Sequence, residues 1–234
     1  DYQYVLTYIS SLRERLAPVL NNIIYNGLLP DLEKNLKENH NIDLFPYVDL
    51  KGKTPKEGIV AFNDLPRYAM GYASLFHSLS FTVETHMLKP FPLRVEATLA
   101  FMKELINWTS LNNTSIENAR VEARKFVTEA PYLKYNYVTS SKRDSILFKG
   151  YQHSFPIHKI TGLKRLKYDN TKPYTSYVPY FKTSTAKDSV KTPNLYYISA
   201  QEKDIIKRLK ANKVEMKMIS KDTSMLLGVY RVVE

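Results

Sequence analysis

Residues 80–91 read SFTVETHMLKPF. Leu79–Val83 is strand-like, and Glu84 and His86 close the run just before a proline. Pro90 and Pro92 then set the entry to a helix from Leu93 to about Trp108. A glutamate at the end of such a strand sits on a rigid element. It faces the crevice where open α/β sheets bind their ligands. Such a carboxylate can act as a general base toward a metal-bound water. It can equally be a structural carboxylate paired with Lys89 or Arg94. His86 lies on the face of Glu84 if the strand continues, where it could orient the carboxylate.

Working outward, the pattern is mixed. Residues 2–9 alternate like a strand edge or loop. Leu12, Leu16, Val19, Leu20, Ile23 and Ile24 recur at helical spacing. Asn26-Gly27 reads as a stop and Pro30 as the start of a new helix whose apolar face includes Leu32 and Leu36. Residues 39–58 read as loop with a short strand at Leu44–Val48. In the helix after Pro92, Val95, Leu99, Met102 and Ile106 form one apolar stripe expected to face the core. The polar stretch Asn107–Asn118 is the expected domain boundary. Beyond it, Lys125–Val138, Ser145–Gln152, Leu163–Tyr168, Tyr174–Phe181 and Leu195–Ile198 read as tyrosine-rich strands. Ser199-Ala200-Gln201-Glu202 reads as a capping box ahead of a helix carrying Ile205, Ile206 and Leu209. Val214–Ile219 and Leu226–Val233 read as closing strands. The expected fold class is α/β, with domains over 1–112 and 113–234, the second β-rich with one helix.

Composition narrows the chemistry. The 234 residues contain no cysteine, which excludes disulfides, thiolate metal sites and a cysteine nucleophile. No apolar run approaches the roughly 20 residues that span a bilayer. The twelve prolines, eighteen tyrosines and ten phenylalanines argue against disorder. The formal charge of +11 raises nucleic acid as a partner. Much of that charge lies in Lys142–Arg143, Lys149–Lys172 and Lys203–Lys221, as expected of a solvated basic surface. Aromatics interleave with cations in Phe148-Lys149-Gly150-Tyr151 and in Lys164–Tyr168. That is the pattern of a stacking platform, but β propensity alone explains it, and nucleic acid is not expected.

The histidines are His40, His77, His86, His153 and His158, and none lies in H-E-x-x-H or starts H-x-x-E. His40-Asn41-Ile42-Asp43 is an H-x-x-D with nothing paired to it. His153 and His158 fall on opposite faces of a strand. No G-x-S-x-G elbow and no glycine-rich phosphate loop is present. The expected metal ligands in this chain are therefore none.

Residues 67–106, RYAMGYASLFHSLSFTVETHMLKPFPLRVEATLAFMKELI, resemble the closing part of the catalytic domain of zinc carboxypeptidases, the carboxypeptidase A-like metallopeptidases. The match is carried by Phe81-Thr82-Val83-Glu84, the loop Thr85–Pro92 and the helix start Arg94-Val95-Glu96-Ala97-Thr98. Glu-Thr-His-x-Leu-Lys-Pro looks like a bacterial branch of that family. Asp1-Tyr2-Gln3-Tyr4 looks like the segment just after the strand that carries the last zinc histidine. The resemblance implies that residues 1–112 are the C-terminal portion of a mixed-sheet catalytic domain and 113–234 a β-rich accessory domain. It implies that Glu84 is the general base and acid. It places a substrate-capping tyrosine at Tyr68 or Tyr72 and leaves Arg67 as a contact for a substrate carboxylate. It implies zinc in a full-length parent, on ligands upstream of this chain, and no activity of the chain alone. A peptide or cell-wall peptide would be the substrate, and the periplasm or exterior the compartment. The other reading is a non-catalytic module whose basic β domain recognises an acidic polymer or a partner protein. A strand from an incomplete sheet has an open edge, so self-association is expected.

Overall fold

The computed structural model describes residues 2–229 and shows a mixed α/β protein. The chain divides into two units, 1–192 and 193–234. In the first, β1 (Leu6–Ser10) leads into α1 (Pro18–Asn22), a π-helical turn (Ile23–Leu28) and α2 (Leu29–His40). The strands β2 (Leu44–Pro46), β3 (Val48–Leu50) and β4 (Ile59–Ala61) follow, then α3 (Ala69–Ser74) and β5 (Phe81–Thr85). Two helices, α4 (Phe91–Leu111) and α5 (Asn113–Thr128), precede β6 (Tyr132–Thr139), β7 (Asp144–Ser154), β8 (Lys167–Phe181) and β9 (Ser184–Lys191).

Three sheets result. One has the order β2-β1-β5, with β1 parallel to β2 and antiparallel to β5. The second runs β3-β4-β8-β7, with β4 and β8 parallel. The third pairs β6 with β9. The first sheet separates two cores because its side chains alternate. Leu6 and Leu44 pack with Leu32, Leu36, Ala97 and Phe101 of α2 and α4. Phe45, next to Leu44, joins Tyr4, Ile59, Phe148 and Val178 of the second sheet. The expected boundary at 112/113 falls between α4 and α5, and strands from both sides of it share the second sheet.

Local differences from the sequence reading have physical causes. Asn26-Gly27 does not stop the helix. Pro30 lacks an N–H and would crowd the carbonyl of Asn26, and the π register over 23–28 shifts the hydrogen bonding by one residue there. The polar stretch 107–118 is helical, because α5 needs only the small Ala119 and Ala123 to pack on Leu16, Leu20 and Ile24. Residues 125–128 therefore end a helix rather than begin a strand.

The stripe of α4 is reversed. Val95, Leu99, Met102 and Ile106 are 48–64% exposed, while Ala97, Ala100, Phe101, Glu104 and Trp108 are buried. The buried face wins because its polar atoms find partners on or beside α2. The indole N–H of Trp108 donates to Asp31 at 2.7 Å. Glu104 accepts from Asn39 at 3.1 Å and from His40 at 3.0 Å. Alanines let the two helices approach.

In the second unit, α6 (Lys203–Ala211) has no buried residue, and its N-cap Glu202 makes no side-chain cap bond. The capping box is found instead at Thr54 and Glu57. Residues 195–198, 214–219 and 226–229 form no ladder, and the rest of the expected last strand lies outside the described residues.

Within the first unit, Asp64 ties the loop after β4 to the segment after β1. It is wholly buried and accepts from the Leu12 N–H at 3.0 Å and from Arg15 at 3.4 Å. Burial pushes its carboxyl above the usual range against the pull of Arg15 and Leu12. Asp64→Ala strands a buried N–H and a mostly buried guanidinium, so urea unfolding should show a loss of about 3 kcal/mol. Asp64→Asn keeps an acceptor and removes a carboxyl whose raised pKa makes ionisation costly. It should lose less, and the difference between the two variants should persist at pH 7. Separately, β5 ends its sheet beside the exposed stripe-bearing α4. Light scattering should therefore give a mass above the 27.2 kDa chain at high concentration, reduced by Leu99→Glu with Met102→Glu.

Candidate functional site

The register of β5 on β1 places Glu84 opposite Thr7. Paired residues share a face, and this face also carries Phe45 on β2. Thr7 is buried and its hydroxyl donates to the Glu84 carbonyl at 3.3 Å. The strand's backbone is thereby tied down while the Glu84 side chain stays exposed. No ion pair among the described residues includes Glu84. The pairing with Lys89 or Arg94 open to it on sequence grounds is not made. Lys89 instead donates to the Tyr2 carbonyl at 3.1 Å, and the Arg94 guanidinium stands over Phe91.

Aromatic residues flank this carboxylate on both sides. Burial first, then the negative charge of Glu84, pushes the Tyr47 phenol up. The Tyr2 phenol is also pushed up, chiefly by burial, partly offset by a hydrogen bond to Thr7 and reinforced by Tyr47 and Glu84. The His86 N–H continues the ladder to the Val5 carbonyl at 3.0 Å, and its ring meets that of Tyr2 edge-on at 4.7 Å. His86 thus belongs with Glu84, as the strand period requires.

From Tyr47 a row of rings runs away from Glu84. Tyr47 meets Phe62 at 6.3 Å, and Phe62 meets Tyr68 at 5.2 Å. Arg67 donates to the Tyr68 hydroxyl at 2.8 Å and also covers its ring. Tyr68 is the N-cap residue of α3, where extended backbone turns the phenol aside before the helix begins. The structure therefore joins Arg67 to Tyr68, and Tyr68 through Phe62 and Tyr47 to the surroundings of Glu84. Tyr72, one turn further along α3, is exposed with its ring 5.1 Å from Phe76. A close approach holds α3 in place. A Cβ on Gly71 would collide with the Leu65 and Asp64 carbonyls.

Tyr2, Thr7, Tyr47 and Phe62 were not singled out in the sequence. They lie on short strands and loops whose partners are set by register, and no local pattern marks them. Among the described residues no three histidine, aspartate or glutamate side chains gather to hold a metal ion. His40 is engaged with Glu104, and His153 sits between Phe155 and Tyr168. The residues present thus do not by themselves fit a zinc site.

A groove of 620 Å³ opens near Lys89, between the start of β1, the end of α2 and one side of α4. Asp43 borders it. Burial pushes its carboxyl up, but Lys149 at 2.8 Å and Lys37 at 3.2 Å outweigh that and hold it below the usual range. No helix among the described residues is long and apolar enough to cross a membrane. No family model, curated protein or solved structure matches the chain.

The His86 ring is testable directly. Burial, then the positive charge of Lys89, lowers its pKa below the ordinary histidine value of about 6.5. An NMR titration should find the His86 midpoint below 6.5, and Lys89→Ala should move it upward. The sign follows from the lowered folded value: protonation opposes the folded state, so this contribution weakens stability as pH falls below about 6.5.

Proposed function

We propose that this chain carries the proton-transfer carboxylate of a zinc carboxypeptidase-like hydrolase of peptide or amide bonds. Glu84 is that carboxylate. The reading is supported by one observation above the others. Glu84 lies at the end of a strand of a mixed sheet, is exposed, and makes no ion pair among the described residues, while its backbone is pinned through Thr7. A carboxylate neutralised by a lysine would be a poor base, and one on a mobile loop would be badly placed.

In this reading Glu84 takes a proton from the attacking water as the water oxygen bonds to the substrate carbonyl carbon. As the carbon–nitrogen bond breaks, Glu84 delivers the proton to the departing amine nitrogen. Arg67 and the Tyr68 hydroxyl offer a cation and a phenol 2.8 Å apart, suited to a carboxylate at the end of a peptide. Tyr72 lies on the same helix and is exposed for contact with substrate. The zinc would be held by residues outside this sequence. It would supply the acidity of the bound water, and no group described here replaces it.

The test compares the chain with a polypeptide extended upstream to include an H-x-x-E pair and a later histidine. The extended protein should bind zinc and cleave a C-terminal residue, and the chain alone should do neither. Glu84→Gln in the extended protein should lower turnover by about 10²–10⁴-fold with zinc retained. Zinc-dependent turnover that survives Glu84→Gln would remove the proposal. Absence of zinc from both proteins, with salt-dependent affinity for polyanions, would establish the binding-module reading instead.

A further inference from the structure

A second cavity, of 230 Å³, lies at the other end of β1 from Glu84. Ser10 ends β1, Pro46 ends β2 and Ala61 ends β4, and all three border it. Tyr180 enters from the last residues of β8, which runs parallel to β4. Carboxyl ends of parallel strands thus converge on one space from two sheets. That is where open α/β sheets bind their ligands.

The lining is specific in its chemistry. Rings of Tyr8, Tyr25, Tyr47 and Tyr180 form the walls. The Arg13 guanidinium stacks on Tyr25, with its central carbon 3.6 Å from the ring centroid. Stacking occupies the faces of the guanidinium and leaves its N–H edge free. Arg13 is half-buried and makes no ion pair among the described residues. The Ser10 hydroxyl is shut off from solvent beside the Tyr25 hydroxyl, which donates to the Ser11 carbonyl at 2.7 Å and keeps a lone pair to accept from Ser10. Two other charges border the space. Lys182 is answered by Asp144 at 2.5 Å, while the Glu33 carboxyl acts on Tyr8 and Tyr180 and is pushed up by burial, which favours its neutral form there. Burial pushes the phenols of Tyr8 and Tyr180 up, so both remain hydroxyl donors at neutral pH.

We infer that this cavity binds a small organic carboxylate with a single-ring or bulky apolar body. The body lies among the tyrosine rings, and the carboxylate meets the fork of Arg13. A planar guanidinium with a free N–H edge matches a carboxylate in two parallel hydrogen bonds. A space of this size suits one ring, since an apolar cavity of about 150 Å³ already accepts benzene. The cavity shares Tyr47 and Phe62 with the surroundings of Glu84, but the assignment rests on Arg13 and does not depend on the hydrolase reading.

Phenylacetate, phenylacetamide and phenethylamine are matched probes for calorimetry or NMR titration of the full chain. Phenylacetate should bind saturably and about tenfold or more tighter than the amide, as expected of a charge-assisted pair. Arg13→Lys keeps the charge and loses the fork, so it should weaken phenylacetate about tenfold while leaving the amide little changed. Each variant is checked for an unchanged circular dichroism spectrum, and Lys172→Ala, remote from the cavity, serves as the control. Equal binding of acid and amide, preference for the amine, no saturation by phenylacetate at all, or a folded Arg13→Lys that binds as the parent does would overturn the assignment.

Discussion

A carboxylate with no access to water organises the first unit. Asp64 holds the chain just after β1, through Leu12 and Arg15, to the loop between β4 and α3. The same loop reaches β6, because the Asn63 amide donates to the Tyr137 carbonyl at 2.7 Å. Tyr137 in turn donates to the Glu14 carbonyl at 3.1 Å, and its ring lies under Arg15. Strand end, loop and β6 are thus joined in one polar network. Buried polar groups cost free energy unless each finds a partner, so such a network tolerates few alternative arrangements.

That network also positions the candidate chemistry. The loop carrying Asp64 leads directly into Arg67, Tyr68 and α3, and Gly71 allows the helix to rest on its carbonyls. Thr82 on β5 reaches Met70 on the same helix. Glu84, two residues along, is therefore placed from two sides: by β1 through the ladder and by α3 through Thr82. The side chain left exposed at the end of this arrangement has no ion-pair partner among the described residues. An exposed carboxylate on so constrained a strand has few structural duties, which is the physical basis for giving it a chemical one.

The elements that were legible in the sequence are those whose signal is local. β5 and α4 follow from the run at 80–91 and its prolines, and α2 from Pro30 with Leu32 and Leu36. The hairpin of β7 and β8 lies where Ser145–Gln152 and Tyr174–Phe181 were read as strands. The errors share a different cause. Residues 107–118 are mostly polar because only Trp108 and Ile116 among them reach the core, the rest of α5's contact coming from Ala119 and Ala123. Residues 214–219 have the composition of a strand but no ladder partner. Strand propensity describes a fit to neighbours, and a segment without neighbours does not express it.

By itself the sequence determined a cysteine-free, strongly basic mixed α/β chain, a glutamate closing an apolar strand, and the helix that follows it. Those are matters of composition and of residues a few positions apart. Only the tertiary structure decided which face of α4 is buried, that the charge of Glu84 reaches Tyr2 and Tyr47, and that Arg13, just after β1, stacks on Tyr25. Each of these rests on register between distant strands or on a polar atom finding its partner across the fold. A hydrophobic pattern records that a residue prefers to leave water, but not which other residue will meet it there.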